Sequence, residues 1–284
     1  MTAIQTLLTG LFDYAGLYPP ASLSLRSAAN NYLEYSRGEH ASALGRFIIN
    51  SDRLEELRSV AGKSLGELKL SVIVSEAADL DLITEHIRKG LPIDAVEIKC
   101  AQPDGIKRMA ARVPQPLAAY FEVPLDESGP DALEAISTSG MRAKIRMGGV
   151  VAEAFPSISA VVQILEALAK LRLAFKATAG LHHPIRSCRP LTYEAQSAKG
   201  TMYGFLNLLC AAAVLYFNGQ SSDAEKILAE EDSSAWQLSP DTLQWRHLKW
   251  TLDQLSTLHR EFFISIGSCS FEEPIQDLNA MGWL

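Results

Sequence analysis

A single (β/α)8-like barrel with an N-terminal helical arm and an enlarged helical region after the sixth strand is the fold class predicted for this 284-residue chain. Three observations predict it. Short apolar, β-branched runs alternate with amphipathic stretches from residue 45 onward, at a spacing of about 25 residues, the rhythm of parallel βαβ units. No Gly-x-Gly-x-x-Gly follows any of these runs, which argues against an open dinucleotide-binding sheet. The last run, EFFISIG (Glu261–Gly267), lies near enough to the C-terminus to close a barrel back onto GRFIIN (Gly45–Asn50).

The elements follow in order. In residues 1–44, LFDYAGLYPPASLS reads as an ordered loop and LRSAANNYLEYSRG as a helix. This arm packs on the barrel, with Asp13, Tyr14 and Tyr18 covering one barrel end or a neighbouring subunit of a homo-oligomer. Strands are expected at Gly45–Asn50, Leu68–Ser75, Asp94–Cys100, Leu117–Pro124, Arg142–Gly149 and Leu173–Gly180. The helices between them have N-caps at Ser51 and Ser157 and stops at Gly62 and Gly90. From 181 to 260 the rhythm loosens into loops and helices, one of them apolar (201–219). The seventh strand has two competing places, within AWQLSPDTLQWRH or at GFLNLL (Gly204–Leu209). No linker divides the chain, so 1–284 is one domain.

Charge and composition narrow the function. With a net charge of −7 and no basic stripe, a nucleic-acid partner is not expected. The four cysteines form no CxxC pair and fit reduced thiols in a cytoplasmic protein. The longest apolar run, Phe205–Phe217, falls short of the roughly 20 residues needed to span a bilayer, and the N-terminus has no signal-peptide pattern. A soluble protein with no membrane partner and a small anionic substrate is expected.

Side chains alternate faces along a strand. In four consecutive strands this puts bulk on one face and charge on the other. Val96, Ile98, Phe121, Val123, Ile145, Met147 and Phe175 oppose Glu97, Lys99, Tyr120, Glu122, Lys144, Arg146, Lys176 and Thr178. Helices cover the outer face of a barrel, so the charged set must point inward, near the strand C-termini where barrel active sites lie. Four cations against two carboxylates leave an excess of about two positive charges, which a substrate phosphate or carboxylate would meet. An internal ion-pair network without chemistry is the bland alternative. Lys176, beside Lys144 and Arg146, is expected to have a depressed pKa and to act as a Schiff-base nucleophile or electrostatic catalyst. A permanently protonated, anion-binding Lys176 is the competing reading. Glu122, with Glu97 behind it, is the expected base. Lys99 and Arg146 bind the anion, and His182 or His183 moves protons.

FKATAG (Phe175–Gly180) resembles the sixth-strand Lys-Thr-Ser-Thr-Gly pattern of the deoxyribose-phosphate aldolase family. FFISIGSCSF (Phe262–Phe271) is similar to that family's last strand and its phosphate-binding turn, and AKIRMGG (Ala143–Gly149) to its fifth strand. The resemblance implies a class I aldolase-like barrel with Lys176 as the Schiff-base lysine and Lys144 near the active site. On its own chemistry, the turn Gly267, Ser268, Cys269, Ser270 offers backbone N–H donors and a helix N-terminus to an anion, or is a plain helix cap.

A second class of mechanism needs no reactive lysine. His182 and His183, with Glu97 or Glu122, could hold a divalent metal in a hydrolase or lyase, although no HxH or HExxH spacing is present. No other cofactor is expected. Arg186 in the same loop could bind a carboxylate or phosphate, while Cys188 and Cys269 have no activating base visible in the sequence and read as structural. A non-catalytic barrel serving as a binding module is the third reading.

Overall fold

The computed structural model describes all 284 residues. Eight parallel strands close into a barrel. They are β1 (Phe12–Tyr14), β2 (Leu44–Asn50), β3 (Leu70–Val74), β4 (Ile93–Ile98), β5 (Ala118–Val123), β6 (Arg142–Arg146), β7 (Phe175–Thr178) and, after five short strands outside the barrel, β13 (Phe263–Ser268). The class expected from the sequence is therefore the one observed.

The closing strand is not where the sequence placed it. β1 lies inside the segment read as an N-terminal arm, and it pairs in parallel with both β13 and β2. The barrel thus closes through Phe12–Tyr14 and not directly from β13 onto β2. Neither proposed seventh strand belongs to the barrel. GFLNLL lies at the start of the apolar helix 205–216, whose twelve residues are all buried. AWQLSPDTLQWRH supplies β10 (Trp236–Ser239) and β11 (Thr242–Trp245), which form a small antiparallel sheet with β12 (Leu248–Thr251). The remaining two strands, β8 (Ser187–Pro190) and β9 (Lys199–Met202), pair with each other. The long excursion after β7 is built from these two small sheets and three helices, the last of which delivers the chain to β13.

The eleven helices are α1 (Ala3–Leu8), α2 (Leu25–Tyr35), α3 (Leu54–Ala61), α4 (Ala77–Arg88), α5 (Pro103–Ala110), α6 (Gly129–Thr138), α7 (Ile158–Lys170), α8 (Phe205–Tyr216), α9 (Ser221–Ala229), α10 (Leu252–Glu261) and α11 (Glu272–Ala280). Ser157 caps α7 by accepting from the Ala160 N–H, and Gly62 ends α3 with a left-handed φ of 52°, as expected. Ser51 does not cap; its hydroxyl donates to Asp79. The stretch 152–170 is long and apolar enough to cross a membrane by length and composition, yet Val161, Ile164, Leu165 and Leu168 of α7 are buried within the protein.

The packing follows the strand alternation. Phe12, Tyr14, Phe47, Ile49, Val96, Phe121, Ile145 and Phe175 point outward into the strand–helix core. The inward positions carry Asp13, Ser71, Glu97, Lys144, Lys176 and Ser265, all buried. Close approach of β1 to β2 requires glycine at position 45, where a Cβ would collide with Asp13 Oδ1 and with the Gly10 carbonyl oxygen. Gly45→Ala is expected to cost about 1–3 kcal/mol of overpacking, measurable as a lowered urea midpoint at unchanged slope.

Candidate functional site

Strand register sets the arrangement inside the barrel. Glu122 stands beside Lys144, Lys144 beside Lys176, and Arg146 beside Thr178 on adjacent strands. A charge at such a position must be paired, because the barrel interior holds no bulk water to solvate it.

The deepest pair is complete. Lys176 Nζ donates to Asp13 Oδ2 at 2.5 Å and to Glu97 Oε1 at 2.7 Å, and it lies 5.5 Å from the centre of the Tyr120 ring. The carboxylates are saturated in turn. Ser265 Oγ donates to Asp13 Oδ2, the Arg46 backbone N–H donates to Asp13 Oδ1, and Ser71 Oγ donates to Glu97 Oε1. Lys176 is 0 % exposed and does not reach the cavity above it. Burial works against its charge, but Asp13 and Glu97 outweigh burial and raise its pKa above that of an ordinary lysine. The expected depression of the Lys176 pKa is therefore reversed. Its neighbours Lys144 and Arg146 do not dominate its surroundings; two carboxylates do. Burial likewise pushes the Glu97 carboxyl up, and Lys176 with Lys144 overcomes this to hold it well below the usual carboxylate range.

Lys144 forms the next level. Its Nζ is 3.1 Å from Glu97 Oε2 and 2.9 Å from Glu122 Oε2. Lys144 is the charged partner of Glu122 Oε2, a buried oxygen that accepts no other hydrogen bond. Above this level a cavity of about 330 Å³ opens at the C-terminal ends of the strands. Glu97, Glu122, Lys144, Lys99, Arg146 and Thr178 all contribute to its wall. Lys99 and Arg146 are exposed, and neither has a carboxylate within 4.0 Å. They also border an adjoining cleft of about 550 Å³ that ends at Glu153. The cation excess expected from the strands is present at the rim, but Asp13 cancels one of the two charges lower down.

Asp13 is the main residue that reading the strands missed. Phe12-Asp13-Tyr14 has the alternation of the other strands, but in a run of three residues that is too short to be read as one. Tyr18, from the same segment, also lines the cavity, and its hydroxyl donates to Asn50 Oδ1 at 2.9 Å.

The other expected site residues divide. Gly267 and Thr178 line the cavity, and a Cβ at position 267 would lie 2.8 Å from Thr178 Oγ1. The turn after β13 uses its own hydroxyls. Ser268 Oγ donates to the Ser270 carbonyl, and Ser270 Oγ accepts from the Glu273 N–H to cap α11. The first turn of α11 carries Glu272 and Glu273, so the positive end of the helix dipole already faces carboxylates. The Ser268 and Ser270 hydroxyls are thus engaged within the turn and the start of α11. Arg186 does not reach the cavity; its Nε lies 3.4 Å from Glu231 and its guanidinium stacks over Tyr203.

The two histidines do not gather with Glu97 and Glu122. His182 Nδ1 is 3.0 Å from Glu273 Oε2, and His183 Nδ1 is 2.7 Å from Asp277 Oδ2. No three His, Cys, Asp or Glu side chains are arranged to hold a metal ion, so the ligand set suggested for the metal mechanism is not assembled. Of the two, His182 lines the cavity. Burial pushes its pKa down, and Cys269 with Glu273 reverses this and raises it to about 10. Burial lowers the His183 pKa, which Asp277 offsets only in part.

These pKa shifts bound the pH range of stability. Glu97 is lowered on folding, so its contribution is present above about pH 4.3 and is lost as pH falls further. Lys176 is raised, so its contribution is present below about pH 10.4 and is lost as pH rises beyond that. Urea denaturation across pH is expected to show its maximum between about pH 4.3 and pH 6.5, where the Glu97, Lys176 and His182 contributions are all in place. His182 adds a shallower decline from about pH 6.5 up to its folded value of about 10.

Fold and site together define a (β/α)8 barrel with a buried ionic core beneath a cavity that has a cationic rim. No protein-family model matches the chain, and no curated protein sequence does. Among solved structures it is similar to a FabK variant from Thermotoga maritima, at 14% identity and a TM-score of 0.39, over 65% of this chain and 59% of that one. It is also similar to dihydrodipicolinate synthase from Oceanobacillus iheyensis, at 11% identity and a TM-score of 0.37, over 80% and 79%. A third likeness is to the flavin-binding domain of baker's yeast flavocytochrome b2, at 11% identity and a TM-score of 0.40, over 90% and 66%. The chain spans 59% of the length of the FabK structure. Likenesses this distant say nothing of the chemistry, and the barrel rests on its own strand order. No family match supports the deoxyribose-phosphate aldolase resemblance. Its lysine strand is moreover the seventh of this barrel, not the sixth.

Proposed function

We propose that the protein is an enzyme that enolises a small phosphorylated or carboxylated carbonyl compound, as the shared first step of aldolase/lyase or isomerase chemistry. Glu122 is the base, Lys144 stabilises the enolate oxygen, and Lys99 with Arg146 holds the anionic group. The observation that carries this reading is the Glu122 carboxylate on the cavity wall, its buried Oε2 held by the Lys144 ammonium at 2.9 Å and by no other partner. A carboxylate that borders the cavity is within reach of a substrate proton, and the ammonium beside it is placed for the charge that develops on oxygen. Lys176 serves this site from below by fixing Glu97, which in turn positions Lys144. Of the two buried lysines only Lys144 borders the cavity, so the role of reactive amine passes to it.

The test is exchange of α-protons into D2O, followed by NMR over a panel of small keto acids and phosphorylated aldehydes and ketones. Glu122→Gln is expected to slow exchange at least about 100-fold while leaving the fold intact. Lys99→Met and Arg146→Met are expected to raise KM more than they lower kcat. Exchange that persists unchanged in Glu122→Gln rejects the assignment, as does the absence of exchange with every compound of the panel. Borohydride trapping separates the two uses of the amine: a reduced adduct at Lys144 marks a Schiff base, and no adduct marks an electrostatic role.

A further inference from the structure

Cys269 has a base that the sequence did not reveal. The inward alternation of β13 continues past its end, so Ser265, Gly267 and Cys269 follow one another along the barrel interior, and Cys269 reaches the wall of the same cavity as Lys144. Its residue is only 6 % exposed, yet the exposed part faces that space. Sγ lies 3.7 Å from Nδ1 and 3.8 Å from Nε2 of His182. Nδ1 is bound to Glu273 Oε2 at 3.0 Å, which leaves Nε2 for proton exchange with sulfur. The Tyr193 hydroxyl closes the other side of the sulfur at 3.7 Å. A thiol, an imidazole and a carboxylate in this order are the parts of an activated nucleophile: base beside nucleophile, and a third group orienting the base.

We propose that Cys269 is a second catalytic residue of the cavity, activated by His182 and oriented through Glu273, and that it adds to the electrophilic carbon of a small aldehyde or ketone. The proton that Cys269 and His182 share rests on the imidazole, whose charge Cys269 and Glu273 favour, and sulfur bonds to the carbonyl carbon. The π pair of the carbonyl moves to its oxygen, which receives that proton from Nε2. The product is a hemithioacetal, and nothing is oxidised or reduced. Glu273 is a positioning residue. The inference shares the cavity with the enolisation reading but does not rest on it, since neither Glu122 nor Lys144 takes part in the addition.

The experiment uses the full chain carrying Cys100→Ser and Cys188→Ser, which removes the half-exposed and exposed thiols. Cys210 remains, fully buried in α8, with its thiol pushed by burial up to about 12. Iodoacetamide alkylation at pH 7, read by mass and peptide mapping, is expected to label Cys269 in the folded protein. The rate is expected to be at least about tenfold higher than for the same cysteine after unfolding in urea. His182→Asn is expected to reduce the folded-state rate at least about tenfold, and Glu273→Gln by a smaller factor that Glu273→Asp restores in part. Excess glycolaldehyde is expected to slow the alkylation, and the protection is expected to stay reversible after borohydride treatment and desalting. Labelling only after unfolding, or an unchanged rate in His182→Asn, overturns the nucleophile. If His182→Asn does not fold, the folded-to-unfolded rate ratio decides alone. Protection that borohydride makes irreversible, with a reduced adduct at Lys144, assigns the carbonyl to the lysine and rejects the hemithioacetal.

Discussion

Lys176→Met is expected to destabilise the protein severely, not merely to silence it. Methionine fills a similar volume but supplies no donor, and Asp13 and Glu97 would then be two carboxylates at most 1 % exposed, without the ammonium that holds them together. Breaking a buried ion pair by removing one partner costs about 3–5 kcal/mol, against a total stability of about 5–15 kcal/mol for a folded domain. Urea titration by circular dichroism measures the loss. The electrostatic cause has its own signature. Asp13→Asn combined with Lys176→Met is expected to recover a large part of the lost stability, since the second change removes one of the orphaned charges. A Lys176→Met protein of unchanged midpoint would show that the cavity's floor tolerates two unpaired carboxylates, and the ionic account of the core would fail.

Deleting residues 1–16 is expected to abolish folding. The deletion removes β1 and with it the hydrogen bonds that join β13 to β2, so a closed barrel becomes an open sheet with two exposed edges. It also removes Asp13, one of the two partners of Lys176. The expected result is a chain without a cooperative thermal transition, prone to aggregate through the free edges. A soluble chain that melts within a few degrees of the full protein would make the segment a docked arm, the role its sequence first suggested. The structure gives the reason to expect otherwise: Phe12 and Tyr14 are at most 2 % exposed and sit in the strand–helix core between Phe205, Phe271, Phe47 and Tyr35.

The longer strands were legible because a barrel strand has two unlike faces. Val96, Phe121, Ile145 and Phe175 must meet helices, so Glu97, Glu122, Lys144 and Lys176 had to meet the interior, and alternation alone separates the two sets. β1 was not legible as a strand. It is three residues long, it contains no β-branched residue, and it lies between Gly10 and Gly16 in what reads as a turn-rich loop. Its pairing is created by the two strands on either side of it, which stand 30 and 249 residues away at Leu44 and Phe263 and become neighbours only when the barrel closes.

The sequence by itself determined the barrel class, the polar interior and the membership of Glu97, Lys99, Glu122, Lys144, Arg146 and Thr178 in one cavity, because each follows from periodicity within a single strand. Which charge faces which was decided by tertiary structure. Lys176 was expected beside cations and is found between Asp13 and Glu97, with Asp13 lying 163 residues away in the chain. Cys269 was read as inert and is found against His182, 87 residues away. A pKa and a nucleophile's base are properties of distances of a few ångströms, and alternation along a strand gives a side chain's direction without giving its partner.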